Sequence, residues 1–311
     1  MFGRKLRMIV RGRVLVLAAV CLAGPSAYGR CAARPITTRP KTATVVETAN
    51  FRIYGMGGLP DANRLGAEFE SLRARLGRVW LGRVRLPVWS PKCEVVVHAT
   101  IASYVRAVGQ GQFATVGCSR VDTAGGKITL RRLDIRADQI GWFASAVPHE
   151  LTHVIMADEF QGGDLPHWAD EGMAVLGDSA LKQSLHLLDL EAGYRNGATF
   201  RLAPFVSQSC YPSAEQIPVF YGQSVSLVKF LVDRKSAPDF VRFLHLAEKA
   251  GYGAALGEVY GIRGVRSLER DWLASTFQRP NLLTAETAQG RDLAVVDSLV
   301  SATTEVAGAE R

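Results

Sequence analysis

Apolar positions along this chain change period several times, and each change marks an element. Val45-Val46 followed by Phe51-Arg52-Ile53-Tyr54 alternates like a half-buried first strand. From Pro60-Asp61 the spacing lengthens, and Leu65, Phe69, Leu72, Leu76 and Val79 recur at helical intervals. Cys93 to Ala99 is the clearest strand, and Thr100 can cap a short helix carrying Ile101, Tyr104, Val105 and Val108. Gly125-Gly126 turns the chain into another strand, Lys127 to Ile135. A helix then runs from about Gln139, with a kink at Pro148, because a mid-helix proline costs about 3 kcal/mol or more. Beyond Glu171 the pattern is helical: Ala180 to Leu190, Val219 to Arg234, Pro238 to Ala250, then Ala254 to Gly261 and Ser267 to Ser275. Phe205 to Pro218 reads as a loop, and Gly251-Tyr252-Gly253 as a break. Strands first and helices afterwards predict an α+β fold, with a sheet-containing part over 44–160 and a helical part over 161–278. Residues 30–43 read as an extended lead-in and 279–311 as a loosely ordered tail.

The chemistry concentrates at Pro148-His149-Glu150-Leu151-Thr152-His153. Two histidines four apart on a helix lie about 40° apart around the axis and roughly 6 Å along it, so both rings reach one cation. Glu150, beside His149, can hold a water rather than the ion. That is the HExxH arrangement of two zinc ligands and a general base. A metzincin would need Gly at 156 and His at 159, where this chain has Met156 and Glu159. Helical rotation also turns Glu159 away from the histidine face. Glu171, in Trp168-Ala169-Asp170-Glu171-Gly172-Met173-Ala174, opens an apolar helix after a Gly-rich turn and can return a carboxylate to the ion. His167 competes with it for that position. Asp178, two helical turns past Glu171, is the candidate to accept a ligand histidine's second N–H. Asp170 reads as a cap, and His98 as a packed or surface histidine.

Pro-His-Glu-Leu-Thr-His, a short loop, then Leu-Pro-His-Trp-Ala-Asp-Glu-Gly-Met-Ala resembles the gluzincin metallopeptidases, and most of all the peptidase-MA-like domains of bacterial envelope proteins. Tyr221-Gly222-Gln223-Ser224 and Leu268-Glu269-Arg270-Asp271-Trp272 extend the likeness over roughly residues 45–275. The resemblance implies a zincin-like fold, a Zn2+ cofactor on His149, His153 and Glu171, and Glu150 as the base. It implies a peptide or protein substrate paired along a strand beside the metal, for which Ile128 to Leu133 is the candidate. It also implies an oxyanion donor beyond the glutamate, for which Tyr221 is the candidate, against a plain core role for that ring. No Gly-x-Met-Glu-Asn stretch, which reads a free N-terminus in related aminopeptidases, occurs here, so an endopeptidase is the expectation. The competing reading is a zinc-stabilised peptide-binding module that does not cut.

Residues 1–29 read as a signal peptide: Arg4, Lys5, Arg7, Arg11 and Arg13, then the apolar run Val14 to Ala23, then Ala27-Tyr28-Gly29. The expected location is therefore secreted or periplasmic, with a membrane anchor only if the leader stays. Much of the formal charge of +8 belongs to that leader, so nucleic-acid binding is not indicated. In an oxidising compartment, Cys31, Cys93, Cys118 and Cys210 are expected to pair as disulfides.

Overall fold

The first apolar stretch folds as a hairpin rather than as one strand. β1 (Thr44–Glu47) and β2 (Phe51–Met56) pair antiparallel with Val46 opposite Ile53. The protein is described here by a computed structural model covering residues 44–56, 62–109, 115–161 and 165–278. The leader, the lead-in to residue 43 and the tail from 279 lie outside the described residues. α1 (Ala62–Leu81) carries the chain to β3 (Cys93–His98), parallel to β2. α2 (Ile101–Val108) follows, its Thr100 hydroxyl accepting the Ser103 amide at 3.2 Å.

β4 (Gly117–Ala124) and β5 (Lys127–Arg136) form a second hairpin about Gly125 and Gly126. Both glycines have positive φ, 58° and 73°, which a side chain would disfavour. The sheet order is β1-β2-β3-β5-β4. Two expectations change here. From Arg131 onward β5 is paired on both sides, parallel to β3 and antiparallel to β4, so Arg131 to Leu133 is not an edge, while Ile128 to Leu130 pairs with β4 alone. The edge is β4, whose Gly-Cys-Ser-Arg-Val-Asp-Thr-Ala composition carries too little alternation to announce a strand.

α3 (Trp142–Glu159) begins three residues later than the sequence suggests and contains Pro148. Thr152 donates its hydroxyl to the Pro148 carbonyl at 2.8 Å. The helical part comprises α4 (His167–Leu176), α5 (Ala180–Arg195), α6 (Leu202–Ser207), α7 (Ile217–Arg234), α8 (Ala237–Tyr260) and α9 (Val265–Phe277). The expected loop at 205–218 is thus only partly loop: Phe205 and Val206 are buried on α6, and a 3-10 turn spans Ala214–Gln216. The Gly251 break survives as a single non-helical residue inside α8, at φ 80° and ψ 160°.

One core joins the sheet to the helices. Phe51, Ile53, Val95, Leu133 and Ile135 face α1 and α3, and the cluster continues through Met173 to Phe220 and Leu227. A smaller cluster of Tyr104, Val105, Val108 and Cys118 lies under α2 on the sheet's other face. There His98 is a packed histidine, between Ser103 Oγ at 2.9 Å and Asp134 Oδ1 at 2.8 Å. The disulfide expectation is not met among the described cysteines: Cys93, Cys118 and Cys210 are thiols, and the sheet keeps Cys93 and Cys118 apart on β3 and β4 with β5 between them. Cys31 lies outside the described residues. No helix among the described residues is long and apolar enough to cross a membrane.

Two glycines let α4, α5 and α7 meet backbone to backbone. A Cβ on Gly172 would stand 2.4 Å from Val228 Cγ2 and 2.6 Å from the Ser224 carbonyl oxygen. One on Gly222 would stand 2.2 Å from the His186 carbonyl oxygen. Gly222 therefore admits the α5 backbone rather than leaving open space beside Tyr221. Gly222→Ala is expected to cost about 1–3 kcal/mol through overpacking, read as a melting temperature several degrees lower by calorimetry. An unchanged melting temperature would contradict this packing.

Candidate metal centre

Two turns of α3 and one turn of α4 supply the centre. His149 and His153 stack edge to face on successive turns, with ring centroids 4.9 Å apart. Both present Nε2 to Glu171 Oε2, at 3.7 Å and 4.0 Å. Suitable donor atoms of these three side chains lie within 4.8 Å of one another. All three residues are buried.

The opposite nitrogens are held by carboxylates. His149 Nδ1 is 2.9 Å from Asp178 Oδ2, and His153 Nδ1 is 2.8 Å from Asp170 Oδ1. Asp178 holds a ligand-histidine nitrogen as its spacing from Glu171 predicts, but by a different route. α4 ends at Leu176, so the turn into α5, not two helical turns, delivers its carboxylate. Lys182 Nζ lies 2.8 Å from the same Asp178 oxygen. Asp170 overturns its reading as a cap. It is buried and turned onto His153, because the close approach of α4 to α3 brings more than one side of α4 against the metal helix.

Glu171 is gripped from behind. Its Oε1 accepts the Tyr211 hydroxyl at 2.7 Å and the Tyr221 hydroxyl at 3.1 Å, which leaves Oε2 for the histidines. Tyr211 comes from the segment after α6, where aperiodic sequence gives no signal for it. His167 is not brought to the centre; its ring stacks on Tyr211 at 4.4 Å and its Nε2 faces the Ser209 carbonyl at 3.2 Å. Glu159 is likewise directed elsewhere, to Arg83 at 2.5 Å.

Burial sets the charges. It pushes Glu171 up to about 8 and Glu150 up to about 7, the latter against the opposing charge of His153. Burial drives His149 down to about 4. For His153 burial works the same way, but Asp170 overrides it and holds the ring at about 9. Burial is likewise overridden at Asp178, where Lys182 and His149 bring the carboxyl to about 2.

The donor set fits a cation. His149 Nε2, His153 Nε2, Glu171 Oε2 and both Glu150 oxygens are buried without a hydrogen-bond partner. Each such atom costs about 1–3 kcal/mol unless something satisfies it. Three of them converging from two helices is a metal-ligand geometry, and two imidazoles with a carboxylate form a nitrogen and oxygen donor set. Glu150 lies alongside against β4. A Cβ on Gly117 would fall 2.7 Å from Glu150 Cγ and 3.0 Å from its Oε1, so the bare strand makes room for this carboxylate.

A family model of the peptidase MA superfamily matches residues 123–278, half of the chain. The chain belongs to the peptidase MA superfamily. The match opens in the last two residues of β4 and closes after α9, so it holds β5, α3 and all of His149, Glu150, His153, Asp170, Glu171, Asp178, Tyr211 and Tyr221. No curated protein matches the chain. Membership points to a peptidase acting on peptides or proteins, and the superfamily is generally metal-dependent, in keeping with the cluster of His149, His153 and Glu171.

In this peptidase MA domain the two tyrosines share one task. Tyr221→Phe alone is expected to weaken metal affinity less than about tenfold, because Tyr211 still holds Glu171. Tyr211→Phe with Tyr221→Phe together is expected to weaken it by about 10- to 100-fold, the usual range for partners that orient a ligand. Competition titration with a chelating dye reads both, and a full effect from Tyr221→Phe alone would contradict the shared grip.

Proposed function

We propose that this chain is an exported zinc-dependent peptidase, and that it acts as an endopeptidase with Glu150 as general base. The observation that carries the proposal is the buried, unpartnered Glu150 carboxylate lying against the edge strand beside three converging ligand atoms. A purely structural metal site has no use for such a group. A bound zinc would polarise the scissile carbonyl and lower the pKa of a water to about 7. Glu150 would take the proton of that water and pass it to the departing amine, work best done by a group whose pKa lies near the working pH. Asp178 and Asp170 fix the histidine tautomers, and Tyr211 and Tyr221 fix Glu171. With its hydroxyl on Glu171, Tyr221 acts in this reading through the ligand, in place of the oxyanion role the resemblance implied.

The side of β4 that pairs with no strand among the described residues offers its backbone to an extended peptide, and such pairing reads no particular sequence. Export rests on the leader-like residues 1–29. The test is a peptide-library digest by the purified protein, with and without a chelator, alongside the mass of the recovered chain. Internal cleavage abolished by the chelator and restored by zinc supports the proposal. Peptide binding without any cleavage favours the non-cutting module instead.

A further inference from the structure

The backbone of Asp178 is held in place without help from any charged side chain. Its amide donates to the Val175 carbonyl at 3.0 Å, and Gln183 Nε2 donates to the Asp178 carbonyl at 2.8 Å. Ser179 beside it caps α5, its hydroxyl accepting the Lys182 amide at 3.4 Å. These bonds close the turn between α4 and α5, and the carboxylate then reaches His149 Nδ1 through Oδ2. Yet Lys182, four residues on, sets its Nζ 2.8 Å from that same oxygen, although Oδ1 is buried and unpartnered.

The place is unfavourable for a lysine. Lys182 sits in the first turn of α5, where the helix dipole opposes a cation. Its Nζ is buried and, among the described residues, has no partner besides Asp178. A local rule broken beside the centre, with no demand from the turn, marks a residue placed for its charge. The two ligand histidines are thereby made unequal. His153 donates to Asp170, which no lysine or arginine approaches among the described residues. His149 donates to a carboxylate already shared with an ammonium. A carboxylate behind a ligand imidazole makes the ring a stronger donor to a metal. A cation on that carboxylate withdraws part of the effect, and in a buried centre its charge is weakly screened.

We propose, on the reading that this centre holds a divalent cation, that Lys182 acts through Asp178 to loosen the hold. Its ammonium offsets the Asp178 charge, so His149 is a weaker ligand than His153. The ion is then less fully neutralised by its ligands, which makes it the stronger Lewis acid.

Zinc titration against a chelating dye at one pH tests it on the parent, Lys182→Met, Asp178→Asn and the variant carrying both. Lys182→Met keeps most of the stem and removes the charge, and is expected to bind zinc about tenfold more tightly than the parent. Asp178→Asn should bind about 10- to 100-fold more weakly, and adding Lys182→Met to it should regain about threefold or more. If Lys182 merely held Asp178 in place, Lys182→Met would bind more weakly and would add nothing to Asp178→Asn. Either result overturns the proposal, as does an unchanged affinity in Lys182→Met. Should Lys182→Met fail to fold with its carboxylate unpaired, Asp178→Asn against the double variant still decides, since the neutral pair leaves no buried charge. A parent that takes up no zinc would sink the metal reading and the proposal with it. A parent that binds zinc while Lys182→Met binds it less tightly sinks the role of Lys182 alone.

Discussion

Glu150→Gln is expected to keep the metal and lose turnover by about 100- to 10,000-fold, the contribution of a positioned general base. On the proposed mechanism the substitution removes the proton acceptor but none of the candidate ligand atoms, which belong to His149, His153 and Glu171. It is also nearly isosteric, so the contact with Gly117 is preserved. Burial without a partner is costly for a carboxylate and less so for an amide. The variant is therefore expected to be at least as stable as the parent. Steady-state cleavage of the best library peptide, with metal content measured on the same preparation, reads both halves. Wild-type turnover in Glu150→Gln would remove the base from the mechanism.

Stripping the cation is expected to have the largest effect on stability. A ligand that binds only the folded chain at a thousandfold excess over its Kd contributes about 4 kcal/mol. For a domain of this size that amounts to a melting temperature lower by about 8–16 °C after chelation. The effect should also depend on pH. In the bare centre burial holds the Glu171 carboxyl up at about 8, and Asp170, prevailing over burial, holds His153 at about 9. Both must shed protons to bind a metal. Affinity should therefore be greatest above these values and fall as pH falls from 9 towards 6. Calorimetric scans of metal-loaded and chelated protein across that range check the magnitude and the sign. A melting temperature indifferent to chelation would mean that the three side chains hold no ion.

Which parts of the centre could be read from sequence follows from how each residue is delivered. His149, Glu150 and His153 share one helix, so their mutual geometry is fixed by helical rotation alone. Glu171 needs a second helix, yet the Glu-Gly pair marks it, and Gly172 is indeed where α4 touches α7. The helical spacing that points to Asp178 assumes a helix that ends two residues earlier, and a turn delivers the carboxylate instead. Asp170 and Tyr211 depend on tertiary packing: one on how closely α4 approaches α3, the other on a segment without periodicity that folds back over Glu171. No rule of spacing finds such residues. The same holds for the sheet. β5 is legible after the Gly125-Gly126 turn, whereas β4 becomes a strand because β5 offers it an edge and the two glycines join them in a hairpin.

The central claim is that His149, His153 and Glu171 together hold one metal ion. Metal analysis of the purified chain by mass spectrometry, on wild type, Glu150→Gln and Glu171→Ala in parallel, tests it most directly. The account predicts one equivalent of zinc in the first two and near-complete loss in the third. A wild-type chain that takes up no metal, or a Glu171→Ala chain that holds it as tightly as the parent, would contradict it.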